Sequence, residues 1–268
     1  MQNICAVLQN GDDGDQLLPG DSLNHLLVDH RDDGVTLITI NRPERRNAIS
    51  AQLAMDLQHA LTQFDRSEQR VAVITGAGDL AFSAGADVSD VPELWRCIPT
   101  VGVDTDKPII AAVAGWCIGG GLILPMMCDL IVAAENSRFS YPEAKLGLTQ
   151  GMIAGLAARI PHKIAMELML RAKIFDAKRA YEVGLINEVV PTGTQVQAAL
   201  AIAAEMAEMA PLVLATMKRF VTRDILPAGP TEQFGRYRRE AEIVAKSEDC
   251  AEGFASYREK RKPAFTGR

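Results

Sequence analysis

Regular patterning of apolar and polar positions begins at Leu26. Leu26–Asp29 and Val35–Ile40 flank Asp32-Asp33-Gly34 and predict two strands joined by a hairpin turn. Leu53, Leu57, Ala60, Leu61 and Phe64 then recur at helical spacing behind Ser50, whose hydroxyl can cap a first turn, so a helix is expected through residue 65. Val71–Thr75, Ile109–Val113 and Leu130–Ala133 are short and wholly apolar, as suits sheet strands covered on both faces. Beyond about residue 140 helical spacing dominates, with helices predicted near 151–158, 162–171, 176–183, 195–209, 211–223 and 231–260 and one strand at Leu185–Val190. Between Asp87 and Lys107, the residues Pro92, Pro99 and Gly102 argue against a long regular helix. The whole pattern predicts an α/β core followed by a helical C-terminal region.

A chain of 268 residues is long enough for one main domain with a sizeable core. Residues 1–22 contain Gly11-Asp12-Asp13-Gly14-Asp15 and Pro19-Gly20 and bury little, so they are expected to form a flexible extension. The net charge of −6 and the lack of a broad basic face argue against nucleic-acid and anionic-membrane partners. No apolar run approaches the roughly 18 residues of a membrane span, and no basic flank precedes an apolar N-terminal segment, so a cytoplasmic location is expected. Cys5, Cys97, Cys117, Cys128 and Cys250 are scattered without CxxC spacing, which fits buried thiols in a reducing compartment. His25, His30, His59 and His162 stand apart from every motif, so neither metal ligation nor histidine catalysis is expected.

Chemistry first shows at Gly119-Gly120-Gly121, where the apolar strand Ile109–Val113 leads into a glycine-lined turn that opens a helix. The first N–H groups of a helix have no intrahelical partner and sit at the positive end of its dipole. An oxyanion forming beside Gly120 would therefore meet a donor, with no Cβ to hold it away. Close helix packing explains such a triplet equally well, and its surroundings must decide.

Those surroundings are Asn41-Arg42-Pro43-Glu44-Arg45-Arg46-Asn47-Ala48, Ile74-Thr75-Gly76-Ala77-Gly78, Ala81-Phe82-Ser83-Ala84-Gly85-Ala86-Asp87, Lys107-Pro108 through Gly121, Met127-Cys128-Asp129, Tyr141-Pro142-Glu143 with Leu146-Gly147, and Glu259-Lys260-Arg261-Lys262-Pro263. In type and order they resemble the crotonase, or enoyl-CoA hydratase/isomerase, superfamily from about residue 25 to the C-terminus. A dinucleotide-binding reading of Gly76-Ala77-Gly78 fails, because Ala81 stands where the third glycine belongs and no helix opens there.

The resemblance implies a spiral of ββα units over residues 23–205 and a helical oligomerisation region over 206–268, assembled as a homotrimer or dimer of trimers. It also implies a coenzyme A thioester as substrate, with no separate cofactor and no metal. In that scheme the backbone N–H groups of Ala86 and Gly120 bond the thioester oxygen as it gains charge, and Glu143 moves a proton. Arg45, Arg46, Ala48, Ala84, Asp87 and Lys260 fall where the family holds coenzyme A. Arg42 lies in the same arginine loop, and Asp87 also reads as a residue that orients its own loop. Lys260 could instead be one exposed charge among Arg258, Glu259, Arg261 and Lys262.

One position departs from the two-glutamate hydratases: the second glutamate is replaced by Ile123, which on a helix from Gly119 shares a face with Gly120. The nucleophilic aspartate of the dehalogenases is replaced by Gly151. Three enzyme readings follow: a double-bond isomerase with one glutamate, an atypical hydratase or hydroxycinnamoyl-CoA-type hydratase-lyase, and an enzyme drawing a second acid from Asp90, Glu93, Asp104 or Asp106. A catalytically silent acyl-CoA binder is the alternative of another class. Trp95, Trp116, Ile123 and Tyr141 are candidates for the acyl pocket, Tyr141 for a phenol in particular, although Trp95 and Trp116 serve equally well as packing aromatics.

Overall fold

The computed structural model describes residues 25–147, 149 and 151–268. The expected N-terminal extension therefore lies outside the described residues. The described residues build two sheets. The larger has the order β1(Leu26–His30)-β2(Val35–Ile40)-β3(Val71–Gly76)-β5(Ile109–Val113)-β7(Leu130–Ala134)-β10(Glu188–Val190). Only β1 runs antiparallel to its neighbour; Gly34, at φ 78°, completes its turn into β2. The smaller has the order β4(Ala81–Ser83)-β6(Trp116–Ile118)-β8(Arg138–Ser140)-β9(Phe175–Asp176), with β4, β6 and β8 mutually parallel.

Successive units share one plan. Strand β3 enters the large sheet, β4 the small one, and a short 3₁₀ helix, Leu94–Cys97, follows. Next come β5, β6 and α2(Gly120–Met126), then β7, β8 and α3(Glu143–Leu146), while α1(Ala51–Arg66) lies between β2 and β3. Each step of this ββα spiral thus sends one strand to each sheet.

The apolar runs are buried on both faces. Val71, Val73, Ile110 and Val132 pack on α6(Gln195–Ala207), whose Ala199, Ala203 and Ala207 form a small-residue stripe. Ala72, Ile74, Ile109 and Ala111 face the main core with Leu53, Leu57, Leu61 and Phe64 of α1. That alternation explains why these strands are almost wholly apolar, Thr75 excepted, whose hydroxyl donates to the Ala112 carbonyl at 2.9 Å. Ser50 caps α1 by accepting from the Leu53 N–H at 3.2 Å.

Several expected elements change shape. The 231–260 helix is two, α8(Pro230–Ala245) and α9(Glu248–Glu259), because Ser247 caps a new start by accepting from the Cys250 N–H. The strand at 185–190 contracts to Glu188–Val190, with Leu185 and Ile186 buried ahead of it. Residues 152–158 are 3₁₀, the helix near 176–183 is α5(Ala177–Glu182) capped by Asp176, and α7(Pro211–Arg219) passes into a π turn at Phe220–Ile225. Helix α4(His162–Leu170) follows the predicted span within a residue. The segment 88–106 holds no helix beyond the four-residue 3₁₀ turn.

This segment and the C-terminal helices are fastened together. Arg96 pairs with Glu242 at 2.7 Å, Arg238 with Glu93 at 3.1 Å, Arg239 with Asp104 at 3.5 Å and Arg219 with Asp106 at 2.8 Å. Arg239 also donates to the carbonyls of Thr100 and Val101. Among the described residues no single helix is long and apolar enough to cross a membrane.

Candidate active site

Three neighbouring parallel strands of the small sheet, β4, β6 and β8, end at the same edge, and each delivers one part of the site. Clefts at the carboxyl ends of parallel strands are where such sheets expose backbone and loop groups together. After β4 comes Ala84–Asp87, after β6 Gly119–Gly121, and after β8 Glu143. The pairing of Ile118 with Ser140 and the Gly119 N–H bond to the Ser140 carbonyl, 3.0 Å, fix the last two side by side.

The loop after β4 is held through its backbone. Ala84 N–H donates to the Arg46 carbonyl at 2.9 Å, Gly85 N–H to Ser83 Oγ at 3.2 Å and Asp87 N–H to the Ile49 carbonyl at 2.8 Å. Ala86 N–H, between them, has no acceptor among the described residues. Gly120 is the first residue of α2, and its N–H likewise has none. The two loops touch at Gly85, φ 96°, where a Cβ would lie 2.8 Å from the Ile118 carbonyl and 3.4 Å from Gly120 N. Only glycine allows that approach, which brings the two unused donors to one place.

Glu143 stands at the N-terminus of α3 and is buried. A Cβ on Gly119 would lie 2.5 Å from its Oε1, and its Oε2 has no hydrogen-bond partner among the described residues. Burial pushes its carboxyl from 4.5 up to about 7, opposed only by its own backbone N–H. Near neutrality such a group can take a proton and give it back.

Arg42 and Asp87 form a buried pair behind the loop. Both guanidinium Nη atoms lie 3.1 Å from Asp87 Oδ2, and Nη1 also donates to the Ala48 carbonyl at 2.6 Å. Hydrogen bonds from the Ser89 hydroxyl and N–H, with Arg42 adding to them, hold the Asp87 carboxyl below its ordinary range. Arg42 is therefore turned inward, away from the nucleotide-facing part expected of its loop. Asn47 joins it: its Oδ1 accepts from Arg42 N–H, and its Nδ2 donates to the Ala77 and Ala81 carbonyls. Arg45 and Arg46 are exposed, Ala48 and Ala84 half-buried. Lys260 is exposed at the end of α9, and its ammonium bonds no described residue.

Of the four pocket candidates, Ile123 alone lines the apolar cavity beneath α2, which it shares with Ile98, Val101 and Met152. Trp95 is buried under the guanidinium groups of Arg96 and Arg238, 4.6 and 5.8 Å from its ring. Tyr141 is buried with its hydroxyl 3.2 Å from Thr149 Oγ1, and Trp116 is 37% exposed at the start of β6. The four acids weighed as a second acid are engaged elsewhere. Asp90 accepts from the Ala51 N–H, Glu93 pairs with Arg96 and Arg238, and Asp104 and Asp106 pair with arginines of the C-terminal region. Patterning gave no sign of Asn47 as a tether or of the part α8 plays in that cavity.

The sequence matches the model of the enoyl-CoA hydratase/isomerase family over residues 30–268. The chain belongs to that family. A probable enoyl-CoA hydratase of Mycobacterium tuberculosis is 34% identical over 255 residues, covering 89% of this chain and 96% of that protein. A carnitinyl-CoA dehydratase of Citrobacter koseri is 35% identical over 251 residues, 86% of this chain and 94% of the other. Among solved structures, the enoyl-CoA hydratase of Mycobacterium tuberculosis H37Rv has a TM-score of 0.69 at 36% identity, over 91% of this chain and 99% of its own. A carnitinyl-CoA hydratase from Mycobacterium avium has a TM-score of 0.71 at 37% identity, over 92% and 100%. The ββα spiral described above is thus the crotonase fold, and this member of the enoyl-CoA hydratase/isomerase family is an acyl-CoA enzyme.

Proposed function

We propose that this family member shifts protons on an enoyl-CoA thioester through an enolate, with Glu143 as the one acid-base group and the Ala86 and Gly120 N–H groups as the oxyanion hole. The observation that carries the reading is the buried Glu143 carboxyl set against Gly119, its Oε2 without a hydrogen-bond partner among the described residues, beside two N–H groups without acceptors. Glu143 takes a proton from the carbon activated by the thioester. The electron pair moves toward the thioester oxygen, which gains charge and accepts from both N–H groups. Preorganised donors of this kind contribute about 3 to 4 kcal/mol each in a transition state. Returning the proton at another carbon moves the double bond, and this isomerisation needs no second carboxylate.

A second reading, addition or removal of water by a one-glutamate route, is favoured by the names of the similar proteins, hydratase and carnitinyl-CoA dehydratase. A silent binder would have no use for a carboxyl held near neutrality in the site. Coenzyme A is held by Arg45, Arg46 and the backbone near Ala48 and Ala84 in this proposal, with Lys260 reaching the same group from a neighbouring subunit. Assembly as a homotrimer or dimer of trimers would cover apolar residues exposed in the C-terminal region, such as Leu212, Ile225 and Ile243.

Incubating saturated, 2-enoyl, 3-enoyl and hydroxycinnamoyl thioesters in ¹⁸O-labelled water, with mass spectrometry of the products, separates the readings. Conversion of a 3-enoyl into a 2-enoyl thioester without label supports isomerisation. Label in the product supports hydration, and no conversion of any thioester contradicts both.

A further inference from the structure

The cavity beneath α2 has one chemical irregularity. Among the described residues its lining is apolar or glycine except for a single carboxylate, Glu232, which comes from the first turn of α8. Ile123, one helical turn from the Gly120 donor, belongs to the same lining. The cavity, about 20 Å³, has space for about one water-sized group, such as the terminal atom of an acyl chain.

Glu232 is held there firmly. Its Oε2 accepts from the Gly229 N–H as the capping contact of α8, and its Oε1 lies 3.4 Å from an Nη of Arg159. Oε1 also lies 3.7 Å from where a Cβ of Gly155 would stand, and Gly155 is itself part of the lining. Arg159 is fastened in turn to the Gly155 carbonyl at 2.8 Å. Helix α8 cannot drift away from this place easily, since Arg238, Arg239 and Glu242 tie it to residues 93–104. A carboxylate offers about four acceptor positions, and Glu232 uses two of them among the described residues.

We infer that Glu232 is a specificity-determining residue, selecting short acyl thioesters that end in an uncharged hydrogen-bond donor such as a hydroxyl. The inference rests on the acyl-CoA reading above and deepens it. Binding sites that are apolar with one fixed polar group use that group to choose orientation and partner. A terminal hydroxyl leaves water and regains an acceptor, whereas a methyl end shields the carboxylate from water and returns nothing. The Arg159 guanidinium beside Glu232 offsets its charge, so a cationic end group such as trimethylammonium gains little there. Hydrogen bonds to charged groups correspond to roughly ten- to hundred-fold in affinity.

The test is calorimetric binding of butanoyl-, pentanoyl- and hexanoyl-CoA against their ω-hydroxy counterparts, with one trimethylammonium-terminated thioester added. Saturated thioesters carry no double bond to move or hydrate, so the readout does not depend on turnover. The native protein is expected to bind at least one ω-hydroxyacyl-CoA about ten-fold or more tightly than the matching alkyl thioester. Glu232→Leu should bring that ratio to about one. Glu232→Gln keeps the volume and the Gly229 contact but loses the charge, and should give an intermediate ratio, which serves if the leucine variant does not fold. Equal binding at every length, a preference that survives either substitution unchanged, or a preference for the cationic end would overturn the inference. Failure of every thioester to bind would instead overturn the acyl-CoA reading itself.

Discussion

The Glu143 carboxyl lies against the backbone of Gly119, so close that a Cβ on Gly119 would sit 2.5 Å from Oε1. Gly119 itself has φ 57° and ψ −122°, a conformation that L residues with side chains rarely adopt. The turn that frees the Gly120 N–H and the place of the proposed acid-base group are therefore one structural feature. Gly119→Ala is expected to lower kcat by about a hundred-fold or more, as misplacement of a catalytic group by about 1 Å does. Steady-state kinetics with a thermal melt to confirm folding checks this.

A second prediction concerns pH. Burial raises the Glu143 carboxyl to about 7, and the group must be ionised to take a proton from substrate. The profile of kcat/KM should accordingly rise with pH and level off above about 7. A flat profile between pH 5 and 8 would count against Glu143 as the base.

The same shift acts on stability with a definite sign. Folded Glu143 holds its proton up to about pH 7, while the unfolded carboxyl loses it near 4.5, so Glu143 favours folding less as pH rises between those values. Glu143→Gln removes this penalty, which is on the order of 3 kcal/mol at one pKa unit per 1.36 kcal/mol. Urea unfolding should show the variant more stable than the native protein at pH 8, with the difference shrinking toward pH 5. Activity and stability are expected to move in opposite directions, as at other sites built for function.

Arg42 and its loop neighbours should separate cleanly. Arg42→Ala leaves Asp87 as a buried carboxylate without its cation, which costs about 3 kcal/mol, and loosens the loop that carries the Ala86 N–H. The expected result is a lower melting temperature and a lower kcat. Arg45→Ala and Arg46→Ala, both at exposed positions, should raise KM and leave kcat and stability nearly unchanged. A rise in KM alone for Arg42→Ala would return that residue to the nucleotide.

What the sequence shows plainly is the large sheet. Val71–Gly76 and Ile109–Val113 are buried on both faces, and the apolar runs Val71–Ile74 and Ile109–Val113 are long enough to mark them. The small sheet is different: β4, β6 and β8 have three residues each and β9 two, too few for any period to register. Yet these strands bring Ala86, Gly120 and Glu143 together. Gly119–Gly121 and Tyr141-Pro142-Glu143 were visible as motifs, but their proximity depends on the pairing of Ile118 with Ser140. The pairing of Arg42 left no local mark, because an arginine reads alike whether it faces solvent or a buried aspartate 45 residues away. Glu232 left no local mark, since its meaning comes from where α8 docks.

In the proposed chemistry, Glu143 and the two N–H donors together form an enolate from a bound thioester. Exchange of solvent deuterium into the α-carbon of a slow or saturated acyl-CoA, followed by mass spectrometry for the native protein and Glu143→Gln, tests it most directly. Steady deuterium wash-in is expected for the native protein and none above the uncatalysed background for the variant. Equal wash-in by both proteins would contradict it.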